Sequence, residues 1–458
     1  MKRLALLLLL AGLALGSCGP DDAGSGDDEI GVDDGADDGA DDTADDGAGD
    51  GSPGVDGGPG GAADGGTVVG PDPCEAEAPA CPAESGLSEG AGLAPIDVCA
   101  FAMEDQDTWS DRGAVVDALA ERLETVPLAS ILGDLNRTGV RLAPGDLPGD
   151  VPGVTSAFAW QSGDMSVGYW IPQGITGSGD AVAGGRIDGR RVLLVSWYYD
   201  QAEEPDSAFE KGVRLAVVDA TDPASIRYRF LLLVEPTMTD AGPSFGPVRV
   251  HAGGLAWVGD HLYVVDTSRG FRVFDMTRIL RVQTGTDAIG LAASGDYFAH
   301  GYSYVVPQVG TYAQTSACAP RYSFVSVDHS SDPPSLITGE YDAGSIYGRL
   351  YRWALEPGGR LASVGEVGRV IPTGAWFSGQ THLQGGLADS DRFWLSSSKP
   401  AGARGVLYRT GDGQATVELG WNDTPEDMSY DPTDGLLWSL SEGLNARHVF
   451  SLPLTAVE

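Results

Sequence analysis

One short module recurs along the C-terminal part of this chain and constrains its fold more than any other feature. It consists of a short apolar piece, a Gly/Asp turn, an alternating strand, a second turn and another strand. It is clearest between Gly253 and Met276, GGLAWVGDHLYVVDTSRGFRVFDM, and returns over Gly385 to Thr410 and Glu426 to Leu454. A further copy begins at Gln173 with QGIT and resumes after an insertion as KGVRLAVVDATD, and a less regular one starts at His300 with HGYSYVVPQVGTYA. Within the module Leu262 and Val264 share one face while Tyr263 and Val265 share the other, the two-residue period of a sheet. Such a unit cannot bury both faces alone, so copies must pack against one another.

Strand-turn modules with a period near about 40 residues, enlarged by insertions, are the signature of a β-propeller. The expected fold is therefore all-β, with five blades starting near residues 173, 253, 301, 385 and 426. A sixth is allowed if 335–367 builds a blade of its own. Tyr228–Val234 and Ala415–Leu419 read as outer edges. The last unit lacks an outer strand, and Ser156–Trp160, ahead of the first blade, is expected to supply it and latch the ring. At the HAGGLAW, PQGIT, LLVSWY and EDMSY stretches the chain resembles the broad NHL, YVTN and quinoprotein-like propeller group. It is more similar still to exported bacterial propeller-like proteins of unassigned function. That resemblance spans roughly 155–456 and implies a fold, not a reaction, because propellers host many functions.

The N-terminus reads as an export signal. Residues 1–17, MKRLALLLLLAGLALGS, have a basic start, a short apolar core and small residues at the end, too short for a comfortable span. Cys18 follows within Leu15-Gly16-Ser17-Cys18, which resembles a bacterial lipobox and implies acylation of Cys18 after cleavage. Gly19, rather than Asp, favours the outer membrane or cell surface over inner-membrane retention. Residues 18–71 are rich in Asp and Gly with no Lys or Arg, so they are expected to be a disordered linker that holds counterions loosely. The pattern of a calcium-binding loop is absent there.

Residues 72–150 read as a disulfide-tied leader with short helices, and 151–458 as the propeller. Export permits disulfides among Cys74, Cys81, Cys99 and Cys318, for which three pairings exist. The favoured one joins Cys74 to Cys81 and Cys99 to Cys318. Val115, Leu119, Leu123 and Val126 are spaced for one helix face, with Ser110 as the N-cap and a second helical turn from Leu128.

In a propeller, residues just before the innermost strand of each blade converge on one mouth of the central channel. Those positions are Gln173, His251, His300, His382 with Gln384, and Glu426 with Asp427. Three of the chain's six histidines fall in this set. Imidazoles beside carboxylates suit ligand binding, acid/base work or a divalent metal such as calcium. No cofactor is expected from any motif, since phosphate loops, dinucleotide fingerprints and HExxH are missing. Gly242–Gly246 matches GxSxG without a strand-to-helix elbow.

A net charge of -38, from 66 acidic against 28 basic residues, argues against nucleic acid. The expectation is a monomeric binding module of the bacterial envelope, held to the membrane by its lipid and taking a glycan, peptide or partner protein. The alternative is a hydrolase or lyase using the channel-mouth His and carboxylates.

Overall fold

A computed structural model describes residues 72–458 except 75–79, 107, 206, 208–209, 366–367 and 401–402. Export signal, Cys18 and acidic linker lie outside the described residues. Among the described residues from Ser156 onward the chain forms five antiparallel units of four strands each, the first two joined where Val305–Pro307 pairs in parallel with Leu232–Val234. The first is built from Trp170–Gly177, Val192–Tyr199, Val213–Asp219 and Arg227–Thr239. The second has Leu255–Val258, His261–Asp266, Gly270–Asp275 and Tyr304–Gln314. Tyr322–Asp328, Ser335–Glu340, Arg349–Ala354 and Gly374–Phe377 make the third. The fourth comprises Leu383–Asp389, Arg392–Ser397, Val406–Gly411 and Gln414–Gly420.

The fifth sheet closes the ring. Its first three strands, Pro425–Asp431, Leu436–Ser441 and His448–Pro453, come from the C-terminus, and its outermost, Ser156–Ala159, comes from ahead of the first blade. Each innermost strand packs against the innermost strands of the two flanking blades, and the fifth adjoins the first. The molecule is a five-bladed propeller latched as the sequence suggests. The latch is apolar as well as hydrogen-bonded: Phe158 and Trp160 are fully buried with Trp197, Tyr228, Trp438 and Val449. Blade faces pack through such clusters because each sheet is apolar on both sides, and closure leaves no inner edge exposed.

Three expectations need correction. The stretch from His300 does not open a blade; Tyr304–Gln314 is the outer strand of the second blade, and the third begins at Tyr322. Its alternating pattern serves an outer strand as well as an inner one, so local periodicity could not assign it. The disulfides join Cys74 to Cys99 and Cys81 to Cys318, not Cys74 to Cys81 and Cys99 to Cys318. Folding of the leader back along the third blade, where Ala94–Pro95 pairs with Trp376 and Phe377, sets those partners. Ser110 lies inside the helix Thr108–Ala120 and is not its N-cap. That helix buries Val116 and Leu119, and a second, Leu128–Leu132, buries Leu128, Ile131 and Leu132.

Candidate functional site

The innermost strands begin irregularly, and those irregularities present the polar side chains. Pairing slips between Pro172 and Ile175, between Tyr322 and Phe324, between Leu383 and Gly385, and between Pro425 and Met428. The residues left out of register are Gln173 with Gly174, Ser323, Gln384, and Glu426 with Asp427. A bulge of this kind bends the strand and re-aims its side chain, here toward the channel. Left-handed turns lead into four of the five inner strands: Ala252, Ala319, His382 and Thr424 all have positive φ. Such conformations cost about 1–3 kcal/mol each and persist only where surrounding structure imposes them. Gly174 and Gly385 are needed for close approach. A Cβ on Gly174 would lie 2.9 Å from Leu255 N, and one on Gly385 2.7 Å from Glu426 O.

The mouth is a cavity of about 380 Å³ to which every blade contributes. Gln173 and Tyr198 come from the first blade, His251 and Thr267 from the second, Arg321, Ser323 and Tyr341 from the third, Gln384 from the fourth and Glu442 from the fifth. Two amide–carboxylate pairs organise it. Gln173 Nε2 donates to Glu442 Oε2 at 2.9 Å, and Gln384 Nε2 donates to Glu426 Oε1 at 3.2 Å. The Tyr198 and His251 rings lie 4.2 Å apart, tilted by 34°, and form an aromatic wall. Burial raises the Glu426 carboxyl well above its ordinary value, and Glu442 and Asp427 push it further. Glu442 is raised chiefly by burial, opposed by its Gln173 and Arg447 neighbours. Burial lowers His251 below its ordinary value, with Asp200 opposing the shift and Arg321 adding to it.

Four of the expected residues thus meet at one place: Gln173, His251 and Gln384 line the cavity, and Glu426 lies directly beneath Gln384. His382 stands behind the rim, its Nδ1 2.9 Å from Thr381 Oγ1 and its ring edge-on to Tyr341 at 5.7 Å. Asp427 is structural. Its Oδ2 accepts the main-chain N–H groups of Ile175 and Leu255, tying three inner strands together. His300 lies elsewhere, with Nδ1 3.3 Å from the carbonyl oxygen of Asp287 in the insertion before the outer strand of blade two. The register rule that suggested His300 selects Arg321 once the third blade is assigned to Tyr322–Asp328. Glu442 and Tyr341, on turns between strands, have no comparable local signal. Tyr198 lines the cavity, while Tyr199 and Trp421 are buried in the core. The GxSxG serine, Ser244, is buried in a hairpin strand and accepts the Leu291 N–H.

At the other end of the inner strands lies a short polar turn. The single turn Ser178–Ala181 is wholly buried against the inner strands of the first, second and fifth blades. Asp180 accepts from Thr176 and Ser429 and contacts His329 Nε2 at 2.9 Å. Among the described residues, no group of three or more His, Cys, Asp or Glu is arranged to hold a metal ion.

No family model and no curated protein matches the chain. Solved structures that are similar include the β-propeller domain of Myceliophteria thermophila Cps50 (Swd1), at 8% identity and TM-score 0.32, covering 66% of this chain and 99% of that one. A GH43_1 enzyme from Xanthomonas citri complexed with xylotriose is similar at 11% identity and TM-score 0.28, covering 74% and 93%. Kuenenia stuttgartiensis hydrazine synthase is similar at 12% identity and TM-score 0.27, covering 62% and 80%.

Proposed function

We propose that this chain is an exported propeller, lipid-anchored through Cys18 to the bacterial envelope, whose channel mouth binds a hydroxyl-rich ligand such as the end of a glycan. The observation that carries this reading is the pair of Gln–Glu hydrogen bonds presented on bulged strands beside an aromatic wall. Sugars offer C–H faces that pack on aromatic rings and hydroxyls that both donate and accept, and amides beside carboxyls meet both needs. A cavity of about 380 Å³ accommodates one terminal unit rather than a protein loop.

Titration calorimetry against a panel of neutral and acidic oligosaccharides tests the reading. The purified protein binds at least one of them, and the double substitution Gln173→Ala with Gln384→Ala weakens binding roughly tenfold or more while leaving the fold intact by circular dichroism. Absence of binding at millimolar sugar overturns it.

One observation favours a second reading, a glycoside hydrolase. Glu426 and Glu442 interact and are both raised, the condition under which one carboxyl stays protonated as an acid while the other works ionised. Under this reading aryl glycosides are cleaved by the native protein and not by Glu426→Gln. Binding without turnover selects the first reading.

A further inference from the structure

Arg321 is the cation of the mouth, and its backbone is fixed while its head is free. Its main-chain N–H donates to Glu340 Oε1 at 2.9 Å and its carbonyl accepts from Tyr341 N at 3.3 Å. The guanidinium makes no hydrogen bond or ion pair with a described residue, and the side chain is exposed at the cavity wall. Three other arginines near the hub are committed, Arg447 to the carbonyls of Asp164 and Val167, Arg349 to Glu340 and Arg352 to Asp328, while Arg249, in the adjoining hollow, also makes no ion pair with a described residue. In a chain with more than twice as many acidic as basic residues, an arginine at a pocket without a carboxylate partner is a vacancy for one. It lines the cavity together with His251 and Tyr341.

The geometry points to an acidic sugar as the ligand: a uronate-type unit whose carboxylate pairs with Arg321 while its hydroxyls meet the amides of Gln173 and Gln384. This rests on the binding reading above and narrows it. A planar guanidinium takes a carboxylate through two parallel hydrogen bonds, which a neutral sugar cannot offer. Tyr198 and His251 also wall a second hollow of about 250 Å³ that contains Arg249, so the surface continues past the mouth in the direction of another unit. The acidic body opposes long-range approach of such a ligand, but at physiological salt that repulsion is screened beyond about 8 Å. Within contact distance Arg321 decides.

The experiment is calorimetric titration of the full chain with cellobiouronic acid and with its neutral counterpart, cellobiose, alongside an acidic dipeptide. Native protein is expected to prefer the uronate by roughly tenfold or more. In Arg321→Gln that ratio falls to near one, and in Arg321→Lys it is partly restored. Since the Arg321 guanidinium makes no hydrogen bond or ion pair with a described residue, neither variant should lower the melting temperature, which is checked in parallel. Equal affinity of the native protein for both sugars overturns this inference alone and leaves the binding reading standing. Persistence of the preference in Arg321→Gln, or tighter binding of the dipeptide, also overturns it. If neither sugar binds, both readings fall together.

Discussion

Asp427 Oδ2 accepts the main-chain N–H of Leu255 at 3.1 Å, joining the last blade to the second across the channel. The same oxygen accepts from Ile175 N at 3.0 Å, so one carboxylate satisfies buried donors of two neighbouring blades. Burial drives the Asp427 carboxyl upward, and the N–H groups of Ile175, Leu255 and Met428 pull it back. The position therefore belongs to the scaffold of the mouth.

Replacing Asp427 by Ala leaves both N–H groups unpaired in the interior. Each orphaned donor costs about 1–3 kcal/mol. Urea unfolding should show a loss of that size per donor, whereas Asp427→Asn, which keeps an oxygen acceptor, should lose less. Equal losses in the two variants would sink this assignment.

The latch between Ser156–Ala159 and His448–Pro453 makes Phe158 a sensitive position, because it is fully buried at the seam. Phe158→Ala should cost about 3–5 kcal/mol. Deleting residues 150–162 should abolish cooperative unfolding altogether. A truncated protein that melts like the parent would place ring closure elsewhere.

The raised Glu426 carboxyl has a signed consequence for pH. Its ordinary value is 4.5, and burial with Glu442 nearby raises it in the folded protein. The stability it contributes is thus present below about pH 4.5 and lost as the pH rises through the raised value. Glu426→Gln removes the ionisation while keeping an oxygen for Gln384. That variant should be more stable than the native protein at pH 8, by about 1.4 kcal/mol for each unit of the raise, and equal to it at pH 4. Urea midpoints at the two pH values decide the matter, and a variant less stable at pH 8 contradicts it.

The disulfides should differ in weight. Cys74–Cys99 spans 25 residues and Cys81–Cys318 spans 237. Loop-closure entropy gives about 3.5 kcal/mol for the first and about 5.5 kcal/mol for the second. Paired Cys→Ser substitutions compared by chemical denaturation should rank them in that order, and the reverse order would show that the leader is held by other contacts.

Local chemistry made much of this architecture readable. Alternation in segments such as Leu262–Val265 is dictated by sheet geometry, which any strand must obey, and the lone strand at Ser156 was recognisable because the last module lacked an edge. Gln173, His251, Gln384 and Glu426 were found from their nearness to the start of inner strands, His251 just ahead of one and the others on bulges within them, since a propeller turns that place into a position at the hub.

What the chain by itself determined, then, was the set of strands, the class of fold and most of the polar ring. Only the tertiary structure decided which blade owns Tyr304–Gln314, which cysteines meet, and that Arg321 rather than His300 reaches the mouth. The reason is that inner and outer strands share one alternating pattern, while ring closure and chain reversal bring together residues far apart in sequence. Glu442 and Tyr341 enter the site from turns whose direction depends on bulges and left-handed residues packed by neighbouring blades, an influence no local window contains.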